Sequence, residues 1–146
     1  MIWKGDPVYS KILTAVDLDE PSSWQKPIAT TMALANCFGA KVAIAYVVPE
    51  TPLMLQAQWS VLSVRAIMEA ARIKLMKVAR DHCVEDVEQI VRSGTIYTGL
   101  IEAGEMFEAD LIVLSSHRPN MKDYLLGANA SRVVRYAKCS VMVVRD

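Results

Sequence analysis

Apolar and polar positions along this chain fall into alternating blocks of two kinds. The first kind is a short, nearly unbroken apolar run: Lys11 to Val16 (KILTAV), Lys41 to Val48 (KVAIAYVV), Val87 to Val91, Leu111 to Leu114 and Val141 to Val144. Runs of this length without polar alternation predict strands covered on both faces. In the second kind, apolar residues recur three and four positions apart, as on one side of a helix. Pro27 to Phe38 is such a segment, with Ile28, Met32, Ala35 and Phe38 turned inward and Gly39 as its stop. Asp19, Ser22 or Ser23 is placed to cap it. Ser63 to His82 predicts a long helix with Ile67, Ala71, Leu75, Val78 and His82 down its inward side. Tyr97 to Phe107 predicts a third, carrying Leu100, Ile101 and Gly104. The Gly127-Ala128-Asn129 stretch opens a fourth through Val133 and Val134. The stretch between Pro49 and Val61 lacks either period and predicts a loop.

Strand and helix thus alternate four times before a closing strand. That order predicts a parallel sheet with right-handed crossovers and helices on both faces. A chain of 146 residues is long enough for one domain with a continuous core, so 1–146 is expected to be a single unit. Sixteen basic residues balance sixteen acidic ones, which removes any electrostatic argument for nucleic acid or an anionic membrane. No window is long enough to span a bilayer, and Met1 to Pro7 does not open a signal peptide, so a cytoplasmic location is expected. Cys37, Cys83 and Cys139 are scattered, with no C-x-x-C spacing. They are expected to be buried, reduced thiols and not metal ligands.

Ligands of open parallel sheets sit beyond the carboxyl ends of the strands, where strand order reverses. The residues delivered there are Asp17, the Val47 to Glu50 segment, Arg92-Ser93-Gly94, and Ser115, Ser116 and His117. Asp17 is placed either to accept hydrogen bonds from ribose or base, or simply to cap the next helix. Gly127, Ala128 and Asn129 lie at a helix start, whose free N–H groups suit an anion. His117 and Arg118 offer phosphate contacts. His82 reads as a packing or capping residue.

Several functional classes fail on specific residues. There is no G-x-x-x-x-G-K-[ST] loop and no G-x-G-x-x-G after the first strand, which leaves ordinary NTPase and dinucleotide readings without support. A response regulator needs an acidic end to its third strand and a lysine ending the fifth. This chain has Val91-Arg92 and Val144-Arg145 there. A flavodoxin needs a hydroxyl-rich loop where this chain has Asp17-Leu-Asp-Glu20.

Lys11-Ile-Leu-Thr-Ala-Val-Asp17, Ala45-Tyr-Val-Val-Pro49, Val91-Arg-Ser-Gly94, Ala109-Asp-Leu-Ile-Val113 and Tyr136-Ala-Lys-Cys-Ser-Val-Met-Val-Val-Arg145 occur in that order. With them the chain resembles the universal stress protein family over essentially its whole length. The S-H-R-P and Y-L-L-G wording is similar to one branch of that family. The resemblance implies an open five-stranded α/β fold in strand order 3-2-1-4-5, Rossmann-like, and a role in stress physiology. It also implies a crevice for ATP, ADP or AMP, with Mg2+ where phosphates are bound. Asp17 and the Val47 main chain would then face ribose and adenine. Ser115, Ser116, His117, Arg118, Gly127, Ala128 and Asn129 would face the phosphates. ATP-binding members carry G-x-x-G, nine residues, then G-[ST]. Here Ser115-Ser-His-Arg118 replaces the first part, eight residues follow, and Ala128 replaces the hydroxyl. No catalytic residue or resident metal site is assigned, and any turnover would be slow ATP hydrolysis or autophosphorylation. The alternative is a nucleotide-independent signalling or scaffold dimer acting through an unidentified protein partner. A homodimer is expected through the edge strand Val141, Met142, Val143 and Val144, which is apolar on both faces.

Overall fold

In a computed structural model the described residues are 4–50, 61–82, 86–116 and 127–145. They form β1 (Lys11–Ala15), a 3-10 turn (Pro21–Ser23), α1 (Gln25–Phe38), β2 (Lys41–Pro49), α2 (Val61–His82), β3 (Glu88–Gly94), α3 (Ile96–Phe107), β4 (Leu111–Ser115), α4 (Ala128–Tyr136) and β5 (Ser140–Val144). The five strands are parallel and lie in the order β3-β2-β1-β4-β5. The fold is therefore the open five-stranded α/β sheet that the alternation and the resemblance predicted.

Side chains of successive strand residues point to opposite faces, and here both faces are apolar. Leu13, Ala45, Val47, Ile112 and Leu114 pack with Leu100, Ala103 and Phe107 of α3 and with Ala130 and Val133 of α4. Val16, Ile44, Tyr46 and Val48 on the other face pack with Trp24, with Ile28 of α1 and with Ala71, Leu75 and Ala79 of α2. Each face thus carries two helices, which explains why the central strands read as continuous apolar runs. One polar pair lies inside the second layer: the Thr14 hydroxyl of β1 bonds the Thr31 hydroxyl of α1 at 2.5 Å, and both residues are fully buried.

Gly39 ends α1 with φ +68°, a conformation that suits a residue without Cβ. Gly99 is required for a different reason. A Cβ there would stand 2.7 Å from Val47 Cγ2, so α3 can approach β2 this closely only because the residue is glycine.

Three expectations are corrected. The α1 helix begins at Gln25 without a side-chain cap, so Asp19, Ser22 and Ser23 do not cap it. Ser23 Oγ instead donates to the Glu20 carbonyl at 2.6 Å, because the 3-10 turn leads directly into the helix. His82 is exposed and not turned into the core as its inward position predicted, but its ring does pack, edge-on against the buried Trp24 at 4.9 Å, as the packing reading expected. Cys37 is exposed and Cys139 half-buried; burial pushes the Cys139 thiol above its ordinary pKa. Cys83, His117 and Arg118 lie outside the described residues, as does the loop predicted between Pro49 and Val61 beyond residue 50.

Candidate functional site

The chain leaves β1 outward through β2 to β3, then crosses back to β4 on the other side of β1. Strand order reverses between β1 and β4, and the crossover connections diverge there, leaving a crevice at the carboxyl ends. A cleft of about 260 Å³ occupies that position. Its floor is Ala15 of β1 with Val16 and Asp17 just after it, Tyr46, Val47 and Pro49 of β2, and Leu114 and Ser115 of β4. Its walls are Ile96 and Leu100 of α3 and Asn129, Ala130 and Val133 of α4, with Asp19 and Ser23 at one side.

Of the residues singled out in the sequence, Asp17, Val47, Ser115 and Asn129 meet in this cleft. Gly127 and Ala128 stand at the start of α4, next to Asn129, without lining it. Gly127 flanks that helix with no side-chain cap, and no acidic residue occupies its first turn, so the N-terminal N–H groups of α4 keep their affinity for an anion. Ser116 donates its N–H to the Val144 carbonyl at 3.2 Å, which extends the pairing of β4 with β5. Arg92 does not line the cleft and forms a 2.7 Å ion pair with Glu102 of α3. Ser93 and Gly94 likewise do not line it.

Asp17 is exposed, and one carboxylate oxygen accepts the Asp19 N–H at 3.0 Å. This local bond is the turn-forming habit of aspartate. It uses one acceptor position and leaves the remaining lone pairs directed to solvent in the cleft. Sequence reasoning missed Tyr46. It is 9% exposed, lines the cleft and directs its hydroxyl to Asp19 Oδ2 at 3.5 Å. Burial, reinforced by the carboxylates of Asp19 and Asp17, pushes the phenol up to about 12, so it remains a neutral donor at every physiological pH. Its signal was hidden because a tyrosine inside KVAIAYVV reads as one more buried strand residue.

The arrangement offers an apolar slot for a flat ring, carboxylates for hydroxyl donors and a helix start for an anion. Among the described residues, no group of three His, Cys, Asp or Glu side chains is arranged to hold a metal ion. None of their helices is long and apolar enough to cross a membrane.

An open 3-2-1-4-5 sheet with a cleft at its switch point defines a class of α/β proteins, and sequence comparison narrows it to one family. The model of the universal stress protein family matches residues 9–145, and the chain belongs to that family. It is 30% identical over 144 residues to universal stress protein G of Salmonella typhimurium, covering 94% of this chain and all of that protein. Among solved structures, a universal stress protein in complex with cAMP superposes with a TM-score of 0.61 at 21% identity, covering 94% of this chain and 97% of the other. The universal stress protein from Archaeoglobus fulgidus in complex with dAMP superposes with a TM-score of 0.60 at 15% identity, covering 93% and 98%. At those identities the structural likeness speaks for the fold alone.

Proposed function

We propose that this protein is a stress-response module that binds an adenine nucleotide in the cleft between β1 and β4. The observation that carries this reading is the meeting of Asp17, Val47, Ser115 and Asn129 around one slot with apolar walls. Adenine enters the slot that Val47, Ile96 and Leu100 line, with the Val47 main chain reading its edge. Asp17 accepts hydrogen bonds from the ribose, and the α4 start faces the phosphates with Ser115, Gly127, Ala128 and Asn129. Relatives solved with cAMP and dAMP support an adenine ring over another base. Magnesium would arrive on the phosphates and not on a protein cage.

Because Ala128 lacks a hydroxyl, AMP and ADP bind nearly as tightly as ATP. Calorimetric titration with the three nucleotides tests both points. Asp17→Ala removes hydrogen bonds to a charged acceptor, each of which contributes about 1.5–3 kcal/mol, and lowers affinity at least tenfold. Absence of heat with all three nucleotides at millimolar concentration, or an affinity indifferent to Asp17→Ala, overturns the reading.

A homodimer through β5 belongs to the same proposal. The strand lies at one end of the described sheet, and Val141, Met142 and Val143 are only half-buried. Antiparallel pairing of two such edges about a two-fold axis would cover them. Light scattering should give a dimer, and Val143→Pro a folded monomer. The half-exposed edge also favours the second reading, a nucleotide-independent scaffold dimer, which predicts dimerisation with no nucleotide heat.

A further inference from the structure

Outside the cleft, α3 and α4 carry a cluster that the nucleotide reading leaves unused. Arg132 lies over the Tyr97 ring at 5.2 Å, Arg135 lies over the Tyr136 ring at 5.5 Å, and the two tyrosine rings are 6.1 Å apart, tilted by 33°. Tyr136 is 54% exposed and both arginines are exposed, while Tyr97 is half-buried against the core. Neither guanidinium is paired with a carboxylate among the described residues. Two arginines one turn apart repel each other, and α4 carries no acidic residue to offset them.

The cluster adjoins the cleft. Tyr97 follows Ile96, and Arg132 stands one helical turn beyond Asn129; Ile96 and Asn129 both line the cleft. A cleft of about 260 Å³ lies just below the usual volume of about 300–1,000 Å³ for sites that bury a whole ligand. It therefore suits one nucleoside, and a larger ligand must continue outside. Asn129 and Tyr136 are separated along α4 by about 10 Å, a span that a chain of several phosphates covers.

We propose that Tyr97, Arg132, Arg135 and Tyr136 form a second subsite, which takes the distal nucleoside of a dinucleoside polyphosphate whose first nucleoside occupies the cleft. This rests on the nucleotide reading above. The bridging phosphates meet Arg132, and the distal base stacks on the exposed ring of Tyr136 or on the Arg135 plane. Guanidinium groups suit both partners, since they bind phosphate with two N–H groups and stack on flat rings.

The test compares ADP, diadenosine tetraphosphate and a short single-stranded oligoadenylate by calorimetry on the full chain. Base–aromatic stacking of ordinary strength makes the dinucleotide bind about tenfold tighter than ADP or more. Tyr136→Ala and, separately, Arg135→Gln remove most of that difference and leave ADP affinity unchanged. Circular dichroism checks that each variant is folded. Equal affinity for ADP and the dinucleotide overturns the subsite while the cleft reading stands. A difference that survives both variants also overturns it. No binding of any of the three overturns the cleft reading and the subsite together. An oligoadenylate that binds more tightly than the dinucleotide overturns the small-ligand assignment in favour of single-stranded nucleic acid.

Discussion

The two ends of the same sheet use their carboxylates in opposite ways. At the amino end, Asp110 stands just before β4 and binds the residues that open β1. Its Oδ2 accepts the Ser10 N–H and the Ser10 hydroxyl, both at 2.8 Å, and its Oδ1 accepts the Lys11 N–H at 3.0 Å. The Asp110 N–H returns a bond to the Lys11 carbonyl at 2.9 Å. Burial alone would raise this carboxyl, but the donated bonds outweigh it and hold it below the ordinary carboxylate range. At the carboxyl end, Asp17 accepts one local amide and lines an open cleft. A carboxylate whose acceptors are filled from within the chain is a clasp between strands. One whose acceptors face a cleft is available to a ligand. Both follow β-strand geometry, and the partners supplied by neighbouring backbone decide which role results.

The variant expected to disturb this contrast most is Gly99→Ala. Its Cβ would collide with both Val47 methyl groups, at 2.7 and 2.8 Å, so α3 and the cleft floor must separate. Overpacking of this kind costs about 1–3 kcal/mol, readable as a lower urea midpoint. It should also weaken nucleotide affinity, because Val47 forms part of the slot. Thr14→Val comes next. It orphans the buried Thr31 hydroxyl at a cost of about 1–3 kcal/mol, with nucleotide affinity unchanged.

Asp110→Asn should be milder, about 1 kcal/mol, since these bonds lie near the surface. It should leave nucleotide affinity intact, whereas Asp17→Ala should do the reverse, with stability changing by less than about 0.5 kcal/mol.

Titration separates the two ends as well. The folded-state pKa of Asp110 is depressed, so its contribution is present above the unfolded value of about 3.9 and is lost as pH falls through the lower folded value. The folded-state pKa of Tyr46 is raised, so its contribution is complete below the unfolded value of about 10 and is lost as pH climbs through about 12. Asp110→Asn should therefore flatten the acid limb of a stability–pH curve, and Tyr46→Phe the alkaline limb. The smallest expected effect is Glu108→Gln. Its 3.0 Å pair with Lys11 has the carboxylate side chain 80% exposed, and surface pairs contribute about 0–1 kcal/mol.

The fold was legible because both sheet faces are covered, so strands such as KVAIAYVV stand out from helices with polar outer sides. The third strand was less so. It was expected to end at Val91, yet it continues to Gly94, pairing Val47 with Arg92 and Pro49 with Gly94. Lying at the sheet edge, β3 tolerates polar residues that break an apolar pattern. In the candidate site, Asp17 and Val47 could be read from their position at strand ends. Tyr46 and Asp19 could not, because their link depends on a turn folding back over the adjacent strand. Gly99 could not be identified either, since sequence does not reveal how closely α3 approaches β2.

The contrast assigns ligand to the carboxyl end of the sheet and structural closure to its amino end. Hydrogen exchange followed residue by residue with and without AMP tests it most directly. Adding AMP should slow exchange at amides 15–19, 46–48 and 128–131 and leave 10–12 and 109–111 unchanged. Protection confined to the amino end, or spread equally over both ends, would contradict it.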